Sequence, residues 1–326
     1  MKYCFIINPA SGKTATKEGL DEKILSVCAK RDVQPTIIVS KSAEDAGEQV
    51  KSFCNENAGE QLRVYACGGD GTLSIVANAV MQVEDHSNVS VGVIPVGTGN
   101  DYVRNFIPSE QFFDIDAQLD ATPLDIDLIK CNDVYSVNMI NIGFDSQVVC
   151  TMSRLKASKI VPSKFAYILG LVVTLIKKPG VNLTISADGG EKVKKELLLT
   201  TFANGRFCGG GFNSNPNGYL NDGRLNALFV NNISRTKFLS LVGYYKKGEH
   251  LSGKFHKILN DEVATSYDME FDVSTPISVD GEIRFVDKIT VSSAKHAIKF
   301  LVPKGIETID ALEKEADTVK EEVASV

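Results

Sequence analysis

One glycine-rich turn, residues 68–72 with the sequence Gly-Gly-Asp-Gly-Thr, constrains the fold more than any other feature of the chain. The apolar run 62–67 before it has the length of a buried β-strand, and apolar residues recur over 73–81 with the spacing of one helix face. Glycines at a strand-to-helix turn let a ligand approach closely, and the helix N-terminus attracts anions. Asp70 is expected to share magnesium with bound phosphates, because a cation relieves their mutual repulsion. A tight turn capped by Asp70 is the alternative.

Strand and helix patterns alternate along the N-terminal part of the chain. The predicted strands cover residues 2–8, 34–39, 62–67 and 89–94, and the predicted helices cover residues 18–30, 43–54 and 73–81. Such alternation is typical of a parallel sheet with helices on both faces, a doubly wound α/β domain. Ligands of this fold class bind beyond the carboxyl ends of the strands. We therefore expect the loops that follow the strands to form the functional site.

The loop after the first strand, Asn8 to Thr14, is a second candidate for binding phosphate. Its Gly-Lys-Thr sequence suggests a P-loop, but that motif requires glycine where Ile7 stands. Backbone N–H groups, Ser11 and Lys13 are still able to bind phosphate. An ordinary polar turn is the alternative.

The loop after the fourth strand, residues 95–101, is the third candidate. Its two glycines permit unusual backbone angles. Thr98 and Asn100 can donate hydrogen bonds to phosphate or ribose, and Asp101 supplies a second acid. An Asx turn before a short helix is the alternative. Because all three loops follow strands of one predicted sheet, we expect them to meet at one edge.

The pattern changes after residue 123, where short strands with turn signals replace the alternation. The predicted strands cover residues 125–130, 134–142, 181–187, 191–203, 225–231, 254–259, 262–272, 276–279, 282–286, 288–293 and 297–301, and the predicted helices cover 146–178 and 236–246. This pattern is typical of a mostly antiparallel β-sandwich. We therefore predict an α/β domain of residues 1–124 and a β-rich domain of residues 125–302. The tail, residues 303–326, has the apolar spacing of an amphipathic helix packed on the body.

Composition excludes several classes of protein. A net charge of −6 gives no overall positive field for nucleic acid. The seven cysteines are scattered without a Cys-x-x-Cys pair and the four histidines are far apart, so we expect reduced thiols and no zinc site. No run is long and apolar enough to span a bilayer, and the N-terminus lacks a signal-peptide cleavage region. These features predict a cytoplasmic protein.

Six motifs, in this order, match one known family. They are Asn8-Pro9-x-Ser11-Gly12, Gly68-Gly69-Asp70-Gly71-Thr72, Gly97-Thr98-Gly99-Asn100-Asp101, Ala203-Asn204-Gly205 followed by Gly209-Gly210-Gly211, Asn221-Asp222-Gly223, and Asp280-Gly281-Glu282. On these residues the chain resembles the diacylglycerol kinase catalytic family, whose lipid kinases include bacterial diacylglycerol kinases and sphingosine kinases. The resemblance spans nearly the whole chain. It implies an ATP-binding α/β domain similar to those of NAD kinase and phosphofructokinase, a β-rich lipid-substrate domain, and an active site in the cleft.

The resemblance implies ATP and Mg²⁺ as cofactors of the α/β domain. The residues expected to contact ATP are Asn8, Pro9, Ala10, Ser11, Gly12, Lys13, Ser40, Gly68, Gly69, Asp70, Gly71, Thr72, Leu73, Gly97, Thr98 and Asn100. Asp70 would anchor Mg²⁺ through water, and Asp101 and Asp127 would join the same acidic network. Without the resemblance, Asp127 would be interpreted as a charge on an edge strand.

The resemblance also implies a structural Mg²⁺ in the β-rich domain. Its ligands would be the carboxylate of Asp222 and the carbonyl oxygens of Tyr219 and Arg224. Asn217 and Asn221 stand where the family often has Asp, and fewer anionic ligands weaken a magnesium site. An Asn-Asp-Gly turn without metal is the alternative.

The turn Asp280-Gly281-Glu282 is expected to supply the catalytic base. A lipid hydroxyl is a weak nucleophile, and a carboxylate can accept its proton while the γ-phosphoryl group is transferred. The resemblance places the catalytic acid in this turn. We assign the base role to Glu282, with Asp280 as its support or as the alternative. From the sequence alone, Asp-Gly here also indicates a simple hairpin turn.

We therefore expect an ATP-dependent lipid kinase with diacylglycerol as acceptor and phosphatidic acid as product. Sphingoid bases, ceramide and polyprenols are alternative acceptors, since each presents a hydroxyl next to an apolar tail. An NAD kinase is a further alternative, but residues 74–92 lack the Asn-Glu motif of that family. A lipid- or nucleotide-binding regulator without activity is the last, although Asp70, Asp101 and Glu282 are all present.

A basic and apolar stretch, residues 154–178, is expected to contact the membrane. It holds six Lys or Arg residues and no acidic residue. Its apolar run is too short to span a bilayer, so the stretch would lie in the interface or present its cations to anionic headgroups. A core helix with solvated ends is the alternative. We expect a cytoplasmic protein attached peripherally to the inner face of the membrane, without a nucleic-acid partner, and a homodimer remains open.

Overall fold

The computed structural model describes residues 1–12, 19–157, 173–174 and 180–313. Its first elements are β1 (Lys2–Ile7), α1 (Leu20–Lys30), β2 (Pro35–Val39), α2 (Ala43–Glu56), β3 (Leu62–Gly68), α3 (Asp70–Met81) and β4 (Val89–Pro95). Strand β1 pairs in parallel with β2 and β3, and β3 pairs in parallel with β4. Helices α2 and α3 pack on one face of this sheet and α1 packs on the other. The predicted doubly wound α/β domain is confirmed.

An aromatic cluster holds the segment after β4 against the sheet. The segment contains 3₁₀ turns at Tyr102–Asn105 and Ser109–Phe113, strand β5 (Phe106–Ile107) and helix α4 (Ile115–Leu119). The rings of Tyr102, Phe106, Phe112 and Phe300 are fully buried, with neighbouring centroids 5.1–6.0 Å apart. Burying aromatic rings of this size is strongly stabilising, so the backbone after the third predicted loop has a fixed position.

The remaining elements form the predicted β-sandwich-like domain. They are β6 (Thr122–Cys131), β7 (Val134–Ser136), β8 (Met139–Gly143), α5 (Phe144–Ala157), β9 (Val181–Ala187), β10 (Val193–Ala203), β11 (Phe207–Cys208), β12 (Phe212–Asn213), β13 (Leu225–Asn231), α6 (Arg235–Lys247), β14 (Leu259–Ala264), β15 (Ser266–Val279), β16 (Glu282–Val302) and β17 (Glu307–Thr308). Strand β10 pairs antiparallel with β8, β9 and β13, and β15 pairs antiparallel with β8, β9 and β16. Helices α5 and α6 pack together on the outer side of β10 and β13.

Strand β16 joins both parts of the chain into one sheet. It pairs antiparallel with β15 and β6, and its residues 299–300 pair in parallel with β4. The strand order is therefore β14-β13-β10-β8-β15-β16-β4-β3-β1-β2. The end of β16 extends the sheet of the α/β domain, and this continuity sets the cleft between the two domains.

The sequence predicted more and shorter strands than the structure has. The three strands predicted within residues 282–301 are one strand, and residues 276–279 continue β15. Shifts of register between Glu270 and Thr275 and between Ala294 and Ile298 accommodate turn-forming residues without ending these strands. The strand predicted at 254–259 is also wrong, because a 3₁₀ turn at Gly253–Phe255 precedes β14.

The tail lies against both parts of the chain as far as residue 313. Strand β17 pairs antiparallel with β5, and Ile306 is buried in the core of the α/β domain. The two carboxylate oxygens of Glu313 accept hydrogen bonds of 2.7 Å from the guanidinium of Arg206, which is 5 % exposed. Residues 314–326 of the predicted tail helix lie outside the described residues.

The predicted membrane-contact stretch is described only in part. Helix α5 covers its first residues up to Ala157, and residues 158–172 and 175–179 lie outside the described residues. Among the residues with described positions, no helix has the length and apolar character needed to cross a bilayer.

Candidate active site

The three predicted loops meet at the carboxyl edge of the parallel sheet, because β1, β3 and β4 are neighbours. The Asn8 side-chain amide donates a hydrogen bond of 3.1 Å to Thr72 Oγ1, and the Ser11 hydroxyl lies 3.3 Å from the same oxygen. The backbone N–H of Gly97 donates to Gly68 O over 3.1 Å. The first loop therefore contacts the second, and the second contacts the third.

Two glycines in these loops are required by close packing. A Cβ atom on Gly97 would lie 2.4 Å from the Cα of Gly69, and one on Gly68 would lie 2.1 Å from Thr72 Oγ1. Real Cβ atoms do not approach other atoms so closely, so any side chain at either position would move a loop. A Cβ on Gly71 would instead meet nothing within 4 Å. The space beside Gly71 is open where helix α3 begins.

The other expected ATP contacts of the first loops have mixed surroundings. Ser40 is buried, and its hydroxyl donates to Ile7 O over 3.2 Å, so it supports the end of β1. The backbone N–H of Ala10 donates to Asn8 Oδ1 over 2.9 Å. Pro9 and Ala10 are exposed, Gly12 is half-buried with a φ of 66°, and Leu73 is buried under the turn. Lys13 lies outside the described residues.

Asn100 shapes the third loop from within. Its side-chain amide donates to the carbonyl oxygens of Pro95 over 2.6 Å and Gly97 over 3.1 Å. Its φ of 51° is in the left-handed region, which asparagine tolerates better than most residues. Thr98, next in the loop, is exposed and is free to meet a ligand. The Asn100 side-chain amide thus donates hydrogen bonds within its own loop, where the sequence led us to expect hydrogen bonds to phosphate or ribose.

Asp70 and Asp101 approach each other on either side of Gly99. A Cβ on Gly99 would lie 3.2 Å from Asp70 Oδ2 and 3.6 Å from Asp101 Oδ2. Asp70 is the first residue of α3, and its Oδ1 accepts a hydrogen bond of 2.9 Å from the backbone N–H of Tyr102. Burial raises the pKa of Asp101, and the charge of Asp70 raises it further, against the opposing effect of its hydrogen bonds.

Asp101 also connects the two domains. It is 7 % exposed, and its carboxylate accepts hydrogen bonds of 2.8 Å and 2.7 Å from the backbone N–H groups of Gly210 and Gly211. The guanidinium Nε of Arg104 lies 3.3 Å from Asp101 Oδ1. The glycine triplet of the β-rich domain is therefore held directly against the third loop.

These two carboxylates fit a magnesium ion that is shared with phosphates. Magnesium prefers oxygen ligands and commonly takes one or two carboxylates, with water and phosphate oxygens completing the octahedron. Within the described part of the chain, no group of three or more His, Cys, Asp or Glu residues could hold a metal without such help. The donor set beside α3 is thus suited to an ion that is also bound by phosphate and water oxygens.

Asp127 has hydrogen-bond partners in the β-rich domain. Its Oδ2 accepts a hydrogen bond of 2.5 Å from the backbone N–H of Gly223, and its Oδ1 accepts one of 2.7 Å from His296. The residue is 1 % exposed. Both carboxylate oxygens of Asp127 therefore accept hydrogen bonds within the β-rich domain. Through them Asp127 connects the 219–224 loop to the part of β16 where the register shifts. Neither of these two contacts involves Asp70 or Asp101.

Asp280 has a structural role in the hairpin between β15 and β16. Its carboxylate accepts hydrogen bonds from the Ser136 hydroxyl over 2.6 Å and from the backbone N–H groups of Val137, Asn138 and Met139 over 2.8–3.2 Å. Burial raises the pKa of Asp280, and these four hydrogen bonds oppose that rise. Its φ is 46°. The turn is thereby fixed to the start of β8.

Glu282 is exposed and lines a cleft of about 320 Å³ between the domains. Helices α2 and α3 form one wall of this cleft, and Tyr135 and Arg284 line the opposite wall. The α3 lining begins at Ser74, which is one helical turn after Asp70. Glu282 therefore lies beside α3 in the cleft, whereas Asp70 and Asp101 lie at the sheet edge.

The chain bends at residues 220–223, within the loop predicted to bind a structural Mg²⁺. Asp222 is exposed, and its Oδ1 accepts a hydrogen bond of 2.9 Å from the backbone N–H of Arg224. Gly223 has a φ of 78°. The Asp222 carboxylate has a second oxygen to offer a cation, together with the carbonyl groups of the loop.

Comparison with known proteins identifies the family. Residues 2–131 match the family described as "Diacylglycerol kinase catalytic domain", and residues 138–302 match the "YegS C-terminal NAD kinase beta sandwich-like domain". The chain belongs to the diacylglycerol kinase catalytic-domain family. Family membership supports a lipid kinase.

Named relatives and solved structures agree with this family. A diacylglycerol kinase of Mycobacterium tuberculosis is 28% identical over 313 residues, which are 93% of this chain and 96% of that protein. A diacylglycerol kinase of Staphylococcus carnosus is 26% identical over 312 residues, or 95% and 98% of the two chains. The crystal structure of a diacylglycerol kinase from Bacillus anthracis has a TM-score of 0.66 at 18% identity, over 93% and 97% of the chains, and so shares the fold.

Sequence reasoning missed an acidic side chain at the start of α5 in this lipid kinase. Burial raises the pKa of Asp145 to about 6. Burial also raises the pKa values of Cys208 and Tyr245, and the charge of Asp145 raises them further. His250 lies behind them, with its ring centroid 4.8 Å from that of Tyr245. No spacing rule joins these residues, because they come from α5, β11, α6 and the turn that follows α6. An acid two residues after the buried β8 was the only signal.

We expect Gly97→Ala to lower the free energy of unfolding by roughly 1–3 kcal/mol, because its methyl group would overlap Gly69. Nucleotide affinity should fall with it, since the second and third loops would move apart. Thermal unfolding and ATP titration measure the two effects. Gly71→Ala is the matched control and should melt like the wild-type protein, because its methyl group meets nothing. Equal melting of both variants would contradict the packing of the loops.

Proposed function

We propose that this lipid kinase transfers the γ-phosphoryl group of ATP to the hydroxyl of diacylglycerol and forms phosphatidic acid. The observation that carries the proposal is the pair of carboxylates, Asp70 and Asp101, beside the N-terminus of α3 at the junction of the two domains. The names of the relatives from Mycobacterium tuberculosis and Staphylococcus carnosus support diacylglycerol as the acceptor. The protein would act in the cytoplasm, at the inner face of the membrane.

The loops at the sheet edge would bind the phosphates of ATP. The N-terminus of α3 carries a partial positive charge, and the side chains of Asn8, Ser11 and Thr72 form one polar cluster beside it. Asp70 and Asp101 would hold Mg²⁺, which neutralises charge on the phosphates when it is bound. The hydrogen bond from Tyr102 N–H keeps Asp70 in place for this role.

The base that accepts the proton of the lipid hydroxyl would be Glu282. This carboxylate is exposed and lines the cleft, so a substrate can reach it. The lone pairs of Asp280 already accept four hydrogen bonds, and Asp280 would support the turn that carries Glu282. The reverse assignment stays the alternative. Burial raises the pKa of the Tyr102 phenol and the charge of Asp280 raises it further, so Asp280 lies near the residue whose backbone N–H binds Asp70.

The first test supplies labelled ATP and Mg²⁺ with detergent-dispersed diacylglycerol, sphingosine, ceramide or polyprenol, and with NAD in a separate reaction. We expect diacylglycerol to give the highest kcat/KM. Asp70→Asn should fold normally and lose activity by roughly 10²–10³-fold, because the ion loses its charged ligand. If another lipid is phosphorylated with a higher kcat/KM, that lipid replaces diacylglycerol as the proposed acceptor. Phosphorylation of NAD alone would overturn the assignment as a lipid kinase.

The second test separates the two acids of the turn. Glu282→Gln should lower kcat by roughly 10²–10⁴-fold without changing the melting temperature, because the side chain is exposed. Asp280→Asn should lower the melting temperature, since an amide cannot accept the same four hydrogen bonds. Loss of kcat in Asp280→Asn with full activity in Glu282→Gln would exchange the two roles.

We also propose that Asp222, with the carbonyl oxygens of Tyr219 and Arg224, binds a structural Mg²⁺. The turn at Gly223 is held by Asp127, so an ion there would stabilise the loop without contacting substrate. Magnesium should therefore raise the melting temperature of the wild-type protein relative to chelator. Asp222→Ala should remove that difference. A wild-type protein that melts identically under both conditions would exclude the site.

A further inference from the structure

Helix α6 and the turn after it carry the opposite charge to the rest of the protein. Residues 235–257 contain six Lys or Arg and one acid, in a chain whose net charge is −6. The six, which we name the α6 basic surface, are all exposed: Arg235, Lys237, Lys246, Lys247, Lys254 and Lys257. A local excess of cations against an acidic background indicates an anionic partner.

The helix itself is firmly anchored in the β-rich domain. Phe238 and Leu241 are buried, and the ring centroid of Phe238 lies 4.5 Å from that of Phe144 in α5. The Ser234 side chain caps the N-terminus, and Gly248 ends the helix with a φ of 78°. The cations are therefore presented by a rigid element.

A large apolar side chain projects from the middle of this surface. Leu239 is 58 % exposed and lies four residues from Arg235 on the same side of the helix. The cations at 246 and 247 continue this side at the other end, with Gly243 between. A helix with cations at both ends and an exposed leucine between them has the pattern of an element that lies in a lipid interface.

The α6 basic surface borders the candidate active site. The Lys246 ammonium lies 5.8 Å from the ring centroid of Phe212, and Gly248 packs against the side chain of Asn213. Phe212 directly follows Gly210 and Gly211, whose N–H groups bind Asp101. A surface that held this end of α6 would therefore lie next to the junction of the domains.

We propose that the α6 basic surface docks the enzyme on an anionic lipid leaflet, with Leu239 entering the interface. The inference rests on the proposed function, in which the acceptor is a membrane lipid. The electrostatic attraction between lysines and an anionic leaflet adds up over the lysines and is screened by salt. One exposed leucine can also enter the headgroup region. A stable protein partner would instead need a larger apolar centre than this single side chain offers.

The test measures binding of the full-length protein to vesicles by sedimentation. Vesicles of phosphatidylcholine alone are compared with vesicles that also contain phosphatidylglycerol, at low and high salt. Lys246→Glu/Lys247→Glu, on the side of the helix that carries Leu239, should weaken binding to the anionic vesicles at least roughly 10-fold, because each cation contributes about 5-fold. Lys23→Glu/Lys30→Glu is the matched control: it makes the same change of net charge on exposed lysines of α1.

The apolar contribution is tested with a second pair of variants. Leu239→Ser should weaken binding to anionic vesicles several-fold and should keep its salt dependence. Leu25→Ser in α1 removes a leucine that is similarly exposed, at 51 %, and should bind like the wild-type protein. All four variants should melt at the wild-type temperature, since only exposed side chains change.

Activity on detergent-dispersed diacylglycerol distinguishes failure of the docking surface from failure of the proposed function. The α6 variants should keep this activity within about twofold, because their cations act on the leaflet. The docking proposal would be overturned if the wild-type protein did not bind anionic vesicles. It would also be overturned if the α6 and α1 variants bound them equally. Binding of a polyglutamate peptide in place of vesicles would assign the surface to an acidic protein. Absence of lipid phosphorylation in detergent would overturn the proposed function alone.

Discussion

The buried carboxylate of Asp101 is the interaction on which the candidate site depends. A buried charge is costly unless hydrogen bonds replace its water, and two backbone N–H groups from Gly210 and Gly211 do so here. Those donors belong to the β-rich domain, whereas Asp101 follows the last parallel strand of the α/β domain. Satisfying one charge therefore also sets how the two domains meet beside Asp70.

A chain of hydrogen bonds extends from this site to the tail. Asp70 accepts from Tyr102, whose carbonyl accepts from the side chain of Asn105, and Asn105 accepts from the backbone of Arg206. Arg206 in turn donates to Glu313. Tyr102, Asn105 and Arg206 are buried, and leaving their polar groups unpaired would cost more than each bond itself contributes. The 3₁₀ turn after Asp101 thus connects the sheet edge and the glycine triplet with Glu313 in the tail.

The acids of this protein divide into two kinds according to their donors. Asp101, Asp127 and Asp280 each accept backbone N–H hydrogen bonds on both carboxylate oxygens, and hold the glycine triplet, a loop and a hairpin in place. Asp70 and Glu282 keep part of their surface open toward solvent, so they are able to meet an ion or a substrate. For a kinase this division is useful, because a lipid acceptor and a nucleotide must be held by groups whose own positions are already fixed. Acidic residues in similar sequence motifs can therefore be either structural or open to a ligand.

The sequence by itself determined the alternation of strands and helices, the three loops after β1, β3 and β4, and the family, because these depend on local periodicity and on short motifs. It could not determine the extent of β16, since register shifts accommodate residues that usually end a strand. It also could not show that Asp101 and Asp127 accept hydrogen bonds from backbone groups far away in the sequence. The partners of Asp127 lie 96 and 169 positions away, and those of Asp101 lie 109 and 110 away. Only the order of strands in the folded sheet decides which distant backbone groups reach a carboxylate, and therefore which acids are structural and which are open to a ligand.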